Sequence, residues 1–236
     1  DLHSFPTRRS SDLLLTLVTS LGSVMLPRVS NLLSSGNQKA VNKLHEMSFL
    51  VYNLVIFPMI AGILIVNKDF VNFFLGQDFQ DARYAIAIMV FRMFFIGWTN
   101  IMGIQILIPH NKNREFMLST TIPAIFSVGL NILLIPPLGY IGASIVSVAT
   151  EGLVWVIQLY FTRSYLKEVK ILPSMLKIFL AALLMYGALY SVQAFINFSS
   201  VVNVLIYAVL GFFVYGGLVL VLRVLDFQEL KSVLKK

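Results

Sequence analysis

One apolar stretch in the first half of the chain carries polar side chains that could bind an anionic group inside a membrane. Residues 91–109 are apolar enough to lie in lipid, yet they include Arg92, Thr99, Asn100 and Gln105. In an α-helix Arg92 and Thr99 fall on one face, with Asn100 beside them. We therefore predict a helix with lipid on one side and a polar surface on the other.

Gln105 does not share this face, because on a regular helix it points in nearly the opposite direction. Two explanations stay open. Either the helix is unwound just before Pro109, or Gln105 faces a second neighbouring helix.

A second charged residue, Glu151, lies in a later apolar segment. A mid-span arginine costs about 2.5–3.5 kcal/mol on insertion scales, so it normally faces a bundle interior or a wet cavity. Arg92 and Glu151 each lie about ten residues from one end of their helix, which places both about 15 Å deep. They could form a purely structural ion pair. Alternatively, Arg92 binds an anionic substrate group while Glu151 takes part in ion or proton coupling.

Two segments after residue 109 carry polar stripes at helical spacing. The first stripe is Thr120, Ser127 and Asn131, and the second is Ser144, Ser147, Glu151, Trp155 and Gln158. Such side chains either form interhelical hydrogen bonds or line a polar cleft. For a cleft, the candidate substrate-binding residues are Arg92, Asn100, Gln105 and Asn131, with Glu151 as the coupling or ion-pair residue.

The composition is that of a polytopic membrane protein. Of 236 residues, 58% are hydrophobic and 12% charged, and the mean hydropathy is +0.83. A soluble domain needs more charge to cover its surface, and several apolar runs approach the roughly 20 residues that cross a bilayer. Without cysteine, the chain has no disulfide, thiolate metal site or cysteine nucleophile. We predict an all-α bundle of about seven transmembrane helices.

The apolar runs set approximate bounds for these helices. We expect residues 34–46 to form a loop or short interfacial helix, and residues 67–82 to form a longer loop with an amphipathic piece at the interface. The predicted spans are about 14–33, 47–66, 83–108, 116–138, 141–162, 175–196 and 201–225.

The positions of lysine and arginine predict the orientation. Alternate loops differ sharply in their number of basic residues, since the loops of one side have only Lys68 and Arg83. By the positive-inside rule the other side is cytoplasmic, and so is the C-terminus. This topology also explains the net charge of +7, so the charge does not indicate nucleic acid as a partner. The basic residues of that side are Arg28, Lys39, Lys43, Lys112, Arg114, Arg163, Lys167, Lys170, Lys177, Arg223, Lys231, Lys235 and Lys236.

Residues 1–13 have the sequence that results from translating a common sequencing adapter in one frame. A basic N-terminal tail would have no reason to match an adapter codon by codon, and the chain has no initiator methionine. We expect this segment to be an artefact that packs against nothing, and we expect an N-terminal part of the natural protein to be missing.

The sequence contains no motif of an enzyme. His45 and His110 lie at loop edges without a partner at ligand spacing, and no phosphate-binding glycine loop, catalytic carboxylate pair or metal cluster is visible. We expect no cofactor and no metal, and we interpret the acidic residues of the loop at 67–82 as a solvated surface.

Several motifs resemble one family of transporters. Residues 20–28, SLGSVMLPR, resemble the end of the eighth helix in oligosaccharide flippases of the capsule and O-antigen (Wzx) type. Residues 74–79 resemble an outer loop of these flippases. Residues 103–109 resemble the end of one of their helices, and residues 131–143 resemble one of their helical hairpins. The resemblance covers about 14–170 and is specific to the multidrug, oligosaccharidyl-lipid and polysaccharide exporter (MATE/MOP) superfamily.

The resemblance implies that residues 14–170 form the C-terminal lobe of a fourteen-helix flippase, with five transmembrane helices. Residues 171–236 would add two helices and a cytoplasmic tail. The expected substrate is an undecaprenyl-diphosphate-linked oligosaccharide repeat unit, moved across the bacterial cytoplasmic membrane for capsule, O-antigen or exopolysaccharide synthesis. The implied partners are this polyprenyl-diphosphate-linked oligosaccharide, membrane lipids, and glycan polymerase and chain-length proteins.

Two alternatives remain from the sequence. Within the same superfamily, the protein could be a lipid II flippase or a multidrug or cation antiporter, although an antiporter is expected to place more acidic residues in its cleft. From another class, a membrane-embedded glycan polymerase or ligase typically needs a large outer loop with catalytic groups. The largest loop predicted here has about sixteen residues.

Overall fold

A computed structural model describes residues 25–195 and 198–224, and every regular element in these ranges is a helix. This confirms the predicted all-α membrane bundle. The expectations for residues 1–13 and for the C-terminal tail lie outside the described residues. The helices are α1 (25–34), α2 (Gln38–Phe74), α3 (Ala82–Asn100), α4 (Asn113–Leu166), α5 (Leu172–Gln193) and α6 (Ser200–Val221), with a short 3₁₀ turn at Gln77–Phe79 and a π-helical segment at Ile101–Leu107.

Five of these helices are long and apolar enough to cross a membrane, and α4 is long enough to cross it twice. With 54 residues, α4 would be about 80 Å long if it were straight, which far exceeds the roughly 30 Å of a bilayer core. The chain reverses at Gly139, where φ is 54° and ψ is −131°. Ser119 and Gln158 then meet across the hairpin, with Gln158 Nε2 donating to Ser119 Oγ at 3.2 Å. We call 113–138 the first arm and 140–166 the second arm.

The helix α2 is longer than the sequence analysis predicts. It continues without a break from Gln38 to Phe74. Residues 38–46 are therefore helical, which was one of the two expectations for 34–46, but they belong to a long helix and not to a short interfacial one. The expected loop at 67–82 is wrong for residues 67–74, which form the last two turns of α2. The reason is that these polar ends still bury one helical face. Val41 lies against α1 at one end, and Val71 is buried at the other. Falling hydropathy marks where a span leaves the lipid, whereas the helix continues for as long as one face is packed.

The bundle is organised around α2, which packs against α3 on one side and against α5 and α6 on the other. α3 in turn packs against α4. The main core lies between α2, α3 and the π-helical segment, and it contains Phe49, Tyr52, Trp98 and Met102. A close approach at Gly97 allows this packing, because the Tyr52 ring occupies the space that a β-carbon on residue 97 would need.

Polar contacts tie the helices together at one end of the bundle, which we call the basic end. Asn42 Nδ2 donates to Glu168 Oε2 at 2.9 Å, joining the start of α2 to the end of α4. The rings of His110 and Tyr165 lie 4.1 Å apart between centroids. The described basic residues near this end are Arg28, Lys39, Lys43, Lys112, Arg114, Arg163, Lys167, Lys170, Lys177 and Arg223.

The opposite end, which we call the charge-poor end, is joined in a similar way. Asn67 Nδ2 donates to the Arg83 carbonyl at 2.7 Å, and Gln193 Nε2 donates to the Ile65 carbonyl at 2.9 Å. Lys68 and Arg83 are the basic residues here within the described ranges. The loops that the sequence analysis assigns to one side of the membrane therefore meet at one end of the molecule.

Candidate functional site

The candidate site is an ion pair in the middle of two spanning helices. Arg92 on α3 donates from Nη2 to Glu151 Oε1 at 3.0 Å, and its Nε lies 3.3 Å from the same oxygen. Glu151 lies on the second arm of α4. The two side chains are 39% and 21% exposed, respectively. The structure therefore brings the two charged candidates of the sequence analysis into direct contact.

Packing between α3 and the second arm sets the depth of this pair. The two helices run in the same direction, since contacts advance together along both of them. A β-carbon on Gly152 would lie 3.6 Å from the Phe95 ring, and one turn further on the rings of Trp98 and Trp155 lie 6.2 Å apart. Because this register is determined by large side chains, the position of the ion pair does not depend on its own weak attraction.

The partial exposure of the pair shows what must lie beside it. An arginine and a glutamate at mid-span are costly in hydrocarbon even when they are paired, because both still lose water. Arg92 nevertheless keeps more than a third of its side chain uncovered by the described residues. This face is therefore suited to a polar cavity or to another protein segment, and not to acyl chains.

An aromatic wall continues from the pair toward the basic end. It is formed by Phe94, Phe95, Trp98 and Trp155, whose ring centroids lie 5.4 to 6.3 Å apart in the Phe94–Trp98, Phe94–Trp155 and Phe95–Trp155 pairs. Trp98 Nε1 donates to Asn53 Oδ1 at 3.0 Å. Trp155 Nε1 is buried and has no hydrogen-bond partner among the described residues. This wall is an aromatic surface next to the charges.

Gln105 lies apart from the ion pair, and the second of the two explanations offered by the sequence holds for it: it faces a neighbouring helix. The segment before Pro109 is not unwound. Residues Ile101–Leu107 form a π-helical segment, and Gln105 points away from the Arg92 face, as it would on a regular helix. There it faces α2, where Ser48 Oγ donates to its Oε1 at 2.7 Å. Its carbonyl oxygen lies 3.2 Å from His45 Nε2. The side chain is 1% exposed, so in this conformation Gln105 joins two helices.

The two asparagines among the candidates also lie apart from the pair. Asn100 lines a cavity of about 170 Å³ together with Gln105 and residues of α2. Asn131 donates to the Ser127 carbonyl of its own helix at 2.8 Å, and Ser127 and Thr120 likewise donate to carbonyls of their own helix. The first polar stripe thus makes hydrogen bonds within its helix, not the interhelical bonds considered from the sequence. Substrate binding by Asn100, Gln105 and Asn131 stays a prediction.

The sequence analysis missed a polar stripe on α2. His45, Ser48 and Tyr52 are spaced by three and four residues, which places them on one face. All three contact α3 or the π-helical segment, and the Tyr52 hydroxyl is hydrogen-bonded to the Met93 carbonyl and to Gly97 N. The same spacing test that identified Glu151 and Gln158 would have identified these residues. Within the described ranges, no group of three His, Asp or Glu side chains could hold a metal ion.

The chain is similar to a known protein family and to known membrane proteins. The protein-family model described as "Lipid II flippase MurJ" matches residues 12–215. A membrane protein of Methanocaldococcus jannaschii is 24% identical over 217 residues, which are 92% of this chain and 42% of that protein. No solved structure gives a significant match.

Two further relatives carry functional names. A Haloferax volcanii protein named as a probable low-salt glycan biosynthesis flippase is 21% identical, with 92% of this chain and 46% of that protein covered. An Escherichia coli protein named as a candidate O-antigen transporter is 27% identical over 158 residues, with 63% of this chain and 35% of that protein covered. The chain therefore spans less than half the length of these relatives.

Proposed function

Because the chain belongs to the lipid II flippase (MurJ) family, we propose that it is the C-terminal half of a flippase that moves a lipid-linked glycan across a membrane. The prediction of a flippase family is confirmed by this match. We propose that residues 14–170 form one lobe beside a central cleft. Residues 171–236 would then be two added helices and a tail.

The observation that carries this proposal is the partly exposed Arg92–Glu151 pair at mid-span. A flippase must offer the charged head of a lipid-linked glycan a polar route through the bilayer. Arginine suits that task, because its guanidinium binds phosphate oxygens through two parallel hydrogen bonds. We propose that the uncovered side of Arg92 faces the cleft and binds the diphosphate of the cargo.

Glu151 would regulate the binding of the diphosphate to Arg92. While the carboxylate holds Arg92 at 3.0 Å, a diphosphate must compete with it for the same guanidinium. A proton or a cation that neutralises Glu151 would release Arg92 toward the cargo. We propose that coupling of transport to an ion acts through this competition.

For the cargo, we propose an undecaprenyl-diphosphate-linked oligosaccharide repeat unit for capsule, O-antigen or exopolysaccharide synthesis. The relatives named for glycan biosynthesis and O-antigen transport support this choice. The second candidate is lipid II, which the description of the matching family favours. The two cargoes share a polyprenyl diphosphate and differ in the sugar, so the Arg92 site fits both.

Other classes fit the chain less well. A cation antiporter is expected to carry several acidic residues in its cleft, whereas Glu151 is the one acidic side chain at mid-span in the described ranges. A polymerase or ligase needs a large loop with catalytic groups. Residues 75–81, which join α2 to α3, are too few for such a loop. We propose a transporter in the bacterial cytoplasmic membrane that acts beside glycan polymerase and chain-length proteins.

Complementation distinguishes the two cargoes. The complete flippase that contains this chain should restore surface polysaccharide in a strain that lacks its oligosaccharide flippase, measured by immunoblot of the polymer. It should not restore growth in a strain depleted of its lipid II flippase. Growth rescue without polymer would assign lipid II as the cargo, and failure in both strains, at normal protein level, would contradict the flippase proposal.

A labelling experiment tests the proposed orientation. The chain has no cysteine, so a single introduced cysteine can be read without background from it. Asp78→Cys, at the charge-poor end, should react with a membrane-impermeant maleimide in intact cells. Arg114→Cys, at the basic end, should react only after the cells are permeabilised, because the positive-inside rule places that end in the cytoplasm. The reverse pattern would refute this orientation.

A further inference from the structure

A second cavity, of about 390 Å³, lies at the charge-poor end and is lined by side chains of α2, α3, α5 and α6. Its size falls within the range of about 300–1,000 Å³ that is typical of small-molecule sites. Three of its polar side chains, Asn67, Asn203 and Tyr207, are 8%, 7% and 3% exposed, so the cavity is part of the bundle interior. We call it the polar chamber.

Two basic side chains of the polar chamber are not neutralised by a carboxylate. Neither Lys68 nor Arg83 lies within 4.0 Å of a carboxylate oxygen among the described residues. Arg83 donates from Nη2 to the Tyr84 hydroxyl at 2.7 Å, while its Nε is buried without a partner. Asp69, which also lines the chamber, is bound by Asn203 Nδ2 at 3.3 Å. Two positive charges and one negative charge leave one positive charge, which a single carboxylate would balance.

The polar chamber also contains an acceptor that lacks a donor. Asn67 Oδ1 is buried without a hydrogen-bond partner among the described residues, although its Nδ2 donates to the Arg83 carbonyl at 2.7 Å. Buried polar groups are normally satisfied, so an unpaired acceptor beside a cavity points to a ligand that donates. A hydroxyl group can donate to this oxygen, whereas an ionised phosphate or carboxylate group has acceptors only. The ligand therefore needs hydroxyl groups as well as a negative charge.

Two tyrosines of α5 add flat aromatic surfaces to the polar chamber. The rings of Tyr186 and Tyr190 are nearly parallel, with an interplanar angle of 14° and centroids 6.3 Å apart, and both residues line the chamber. The C–H face of a pyranose ring packs on an aromatic ring while its hydroxyl groups bond to polar side chains. Cations, a hydroxyl acceptor and tyrosine rings together have the chemistry that recognises an acidic sugar.

We propose that the polar chamber binds a hexuronate residue of a glycan at the charge-poor end. The carboxylate lies between Lys68 and Arg83, a hydroxyl group donates to Asn67 Oδ1, and the pyranose ring lies against Tyr190. This site is separate from Arg92, which lies nine residues from Arg83 on α3, roughly 14 Å along the axis and on the opposite face. The inference rests on the proposed function, because the glycan delivered to this end is the source of the sugar, and it names an acidic glycan as the cargo class.

Saturation-transfer difference NMR of the complete flippase in detergent tests this proposal with two soluble probes. Methyl β-D-glucuronide should bind at least tenfold more tightly than methyl β-D-glucoside, which has a hydroxymethyl group in place of the carboxylate. Lys68→Gln and Arg83→Gln should each weaken glucuronide binding about tenfold and leave glucoside binding unchanged, as expected for one lost charge-assisted hydrogen bond. Arg83→Lys, which keeps the charge, should retain most of the affinity and guards against a folding defect. Arg114→Gln, at the basic end, is the matched control and should bind as the parent does.

A tyrosine variant tests the aromatic contact separately from the charge. Tyr190 is 63% exposed, so Tyr190→Ala removes little packing. It should weaken the binding of the glucuronide and of the glucoside by a similar factor, about fivefold for the loss of one ring contact. Tyr160→Ala, which removes a 59% exposed tyrosine on the second arm of α4, is the control and should bind both probes as the parent does.

The outcomes separate this proposal from the proposed function. Arg92→Ala should bind the glucuronide as the parent does, although it should not transport. Normal complementation without glucuronide binding would overturn the polar chamber site alone, whereas glucuronide binding without complementation in either strain would contradict the flippase proposal alone. The site is also overturned if the glucoside binds as tightly as the glucuronide, if both glutamine variants bind as the parent does, or if inorganic phosphate at equal concentration displaces the glucuronide.

Discussion

Arg92→Ala should insert into the membrane and accumulate at the normal level, yet abolish complementation by the complete flippase. The packing around residue 92 supports normal accumulation, because Phe95, Trp98 and Trp155 hold the helices in register without help from the ion pair. Function should be lost because the phosphate then has no guanidinium to bind. Immunoblot of the tagged protein and of the surface polysaccharide measures the two effects separately.

Two further variants separate substrate binding from a structural role of the pair. Arg92→Lys should recover part of the activity, since an ammonium still attracts phosphate although the two parallel hydrogen bonds are lost. The double variant Arg92→Glu with Glu151→Arg should stay inactive, because it moves the cation to the other helix. Arg114→Ala, which removes an exposed arginine at the basic end, is the control and should remain active.

Different results would change the assignment of Arg92. If the pair is only structural, each single change should lower the protein level, and the charge swap should restore level and activity together. That rescue would refute a role in substrate binding. Normal transport by Arg92→Ala would exclude both the binding role and the structural one.

Gly142→Ala should destabilise the hairpin of α4. A β-carbon on Gly142 would collide with the carbonyl group of Leu134 on the first arm. Since the obstacle is backbone and not a flexible side chain, the two arms must move apart. Overpacking of this kind typically costs about 1–3 kcal/mol. The melting temperature in detergent should therefore fall by about 5 °C.

Gly129→Ala is the matched control on the same helix. Nothing lies within 4 Å of the β-carbon that it adds. Alanine also forms helix more readily than glycine, by about 1 kcal/mol in exposed positions, so this variant should be neutral or slightly more stable. Equal melting temperatures for the Gly142 and Gly129 variants would contradict the close approach of the two arms.

The fold class and most of the spans followed from the sequence for a simple physical reason. In lipid, backbone polar groups must bond within their own segment, so a long apolar run can only be a helix. The predicted spans 116–138 and 141–162 leave room for only a very short connection, and the structure shows this connection, at Gly139, as the tip of a hairpin. The element bounds were less accurate, as α2 shows, because hydropathy reports the lipid boundary and not the end of the packed face.

The site was only partly predictable. Helical spacing placed Arg92 and Glu151 on polar faces at one depth, since periodicity and rise are local properties of the chain. Helical spacing does not determine which helix faces contact each other. The sequence analysis also grouped Gln105 and Asn131 with Arg92 as candidate binding residues. In the structure Gln105 accepts from Ser48 on α2, and Asn131 bonds within its own helix.

The sequence by itself thus determined that this chain is a membrane helix bundle with two charges at mid-depth and with most of its basic residues at one end. Only the tertiary structure decided that Arg92 contacts Glu151, that Gln105 serves the α2 interface, and that Lys68 and Arg83 line one cavity. The physical reason is that hydropathy, charge and helical period are properties of single segments. Contacts between segments depend on which side chains interlock when the helices pack.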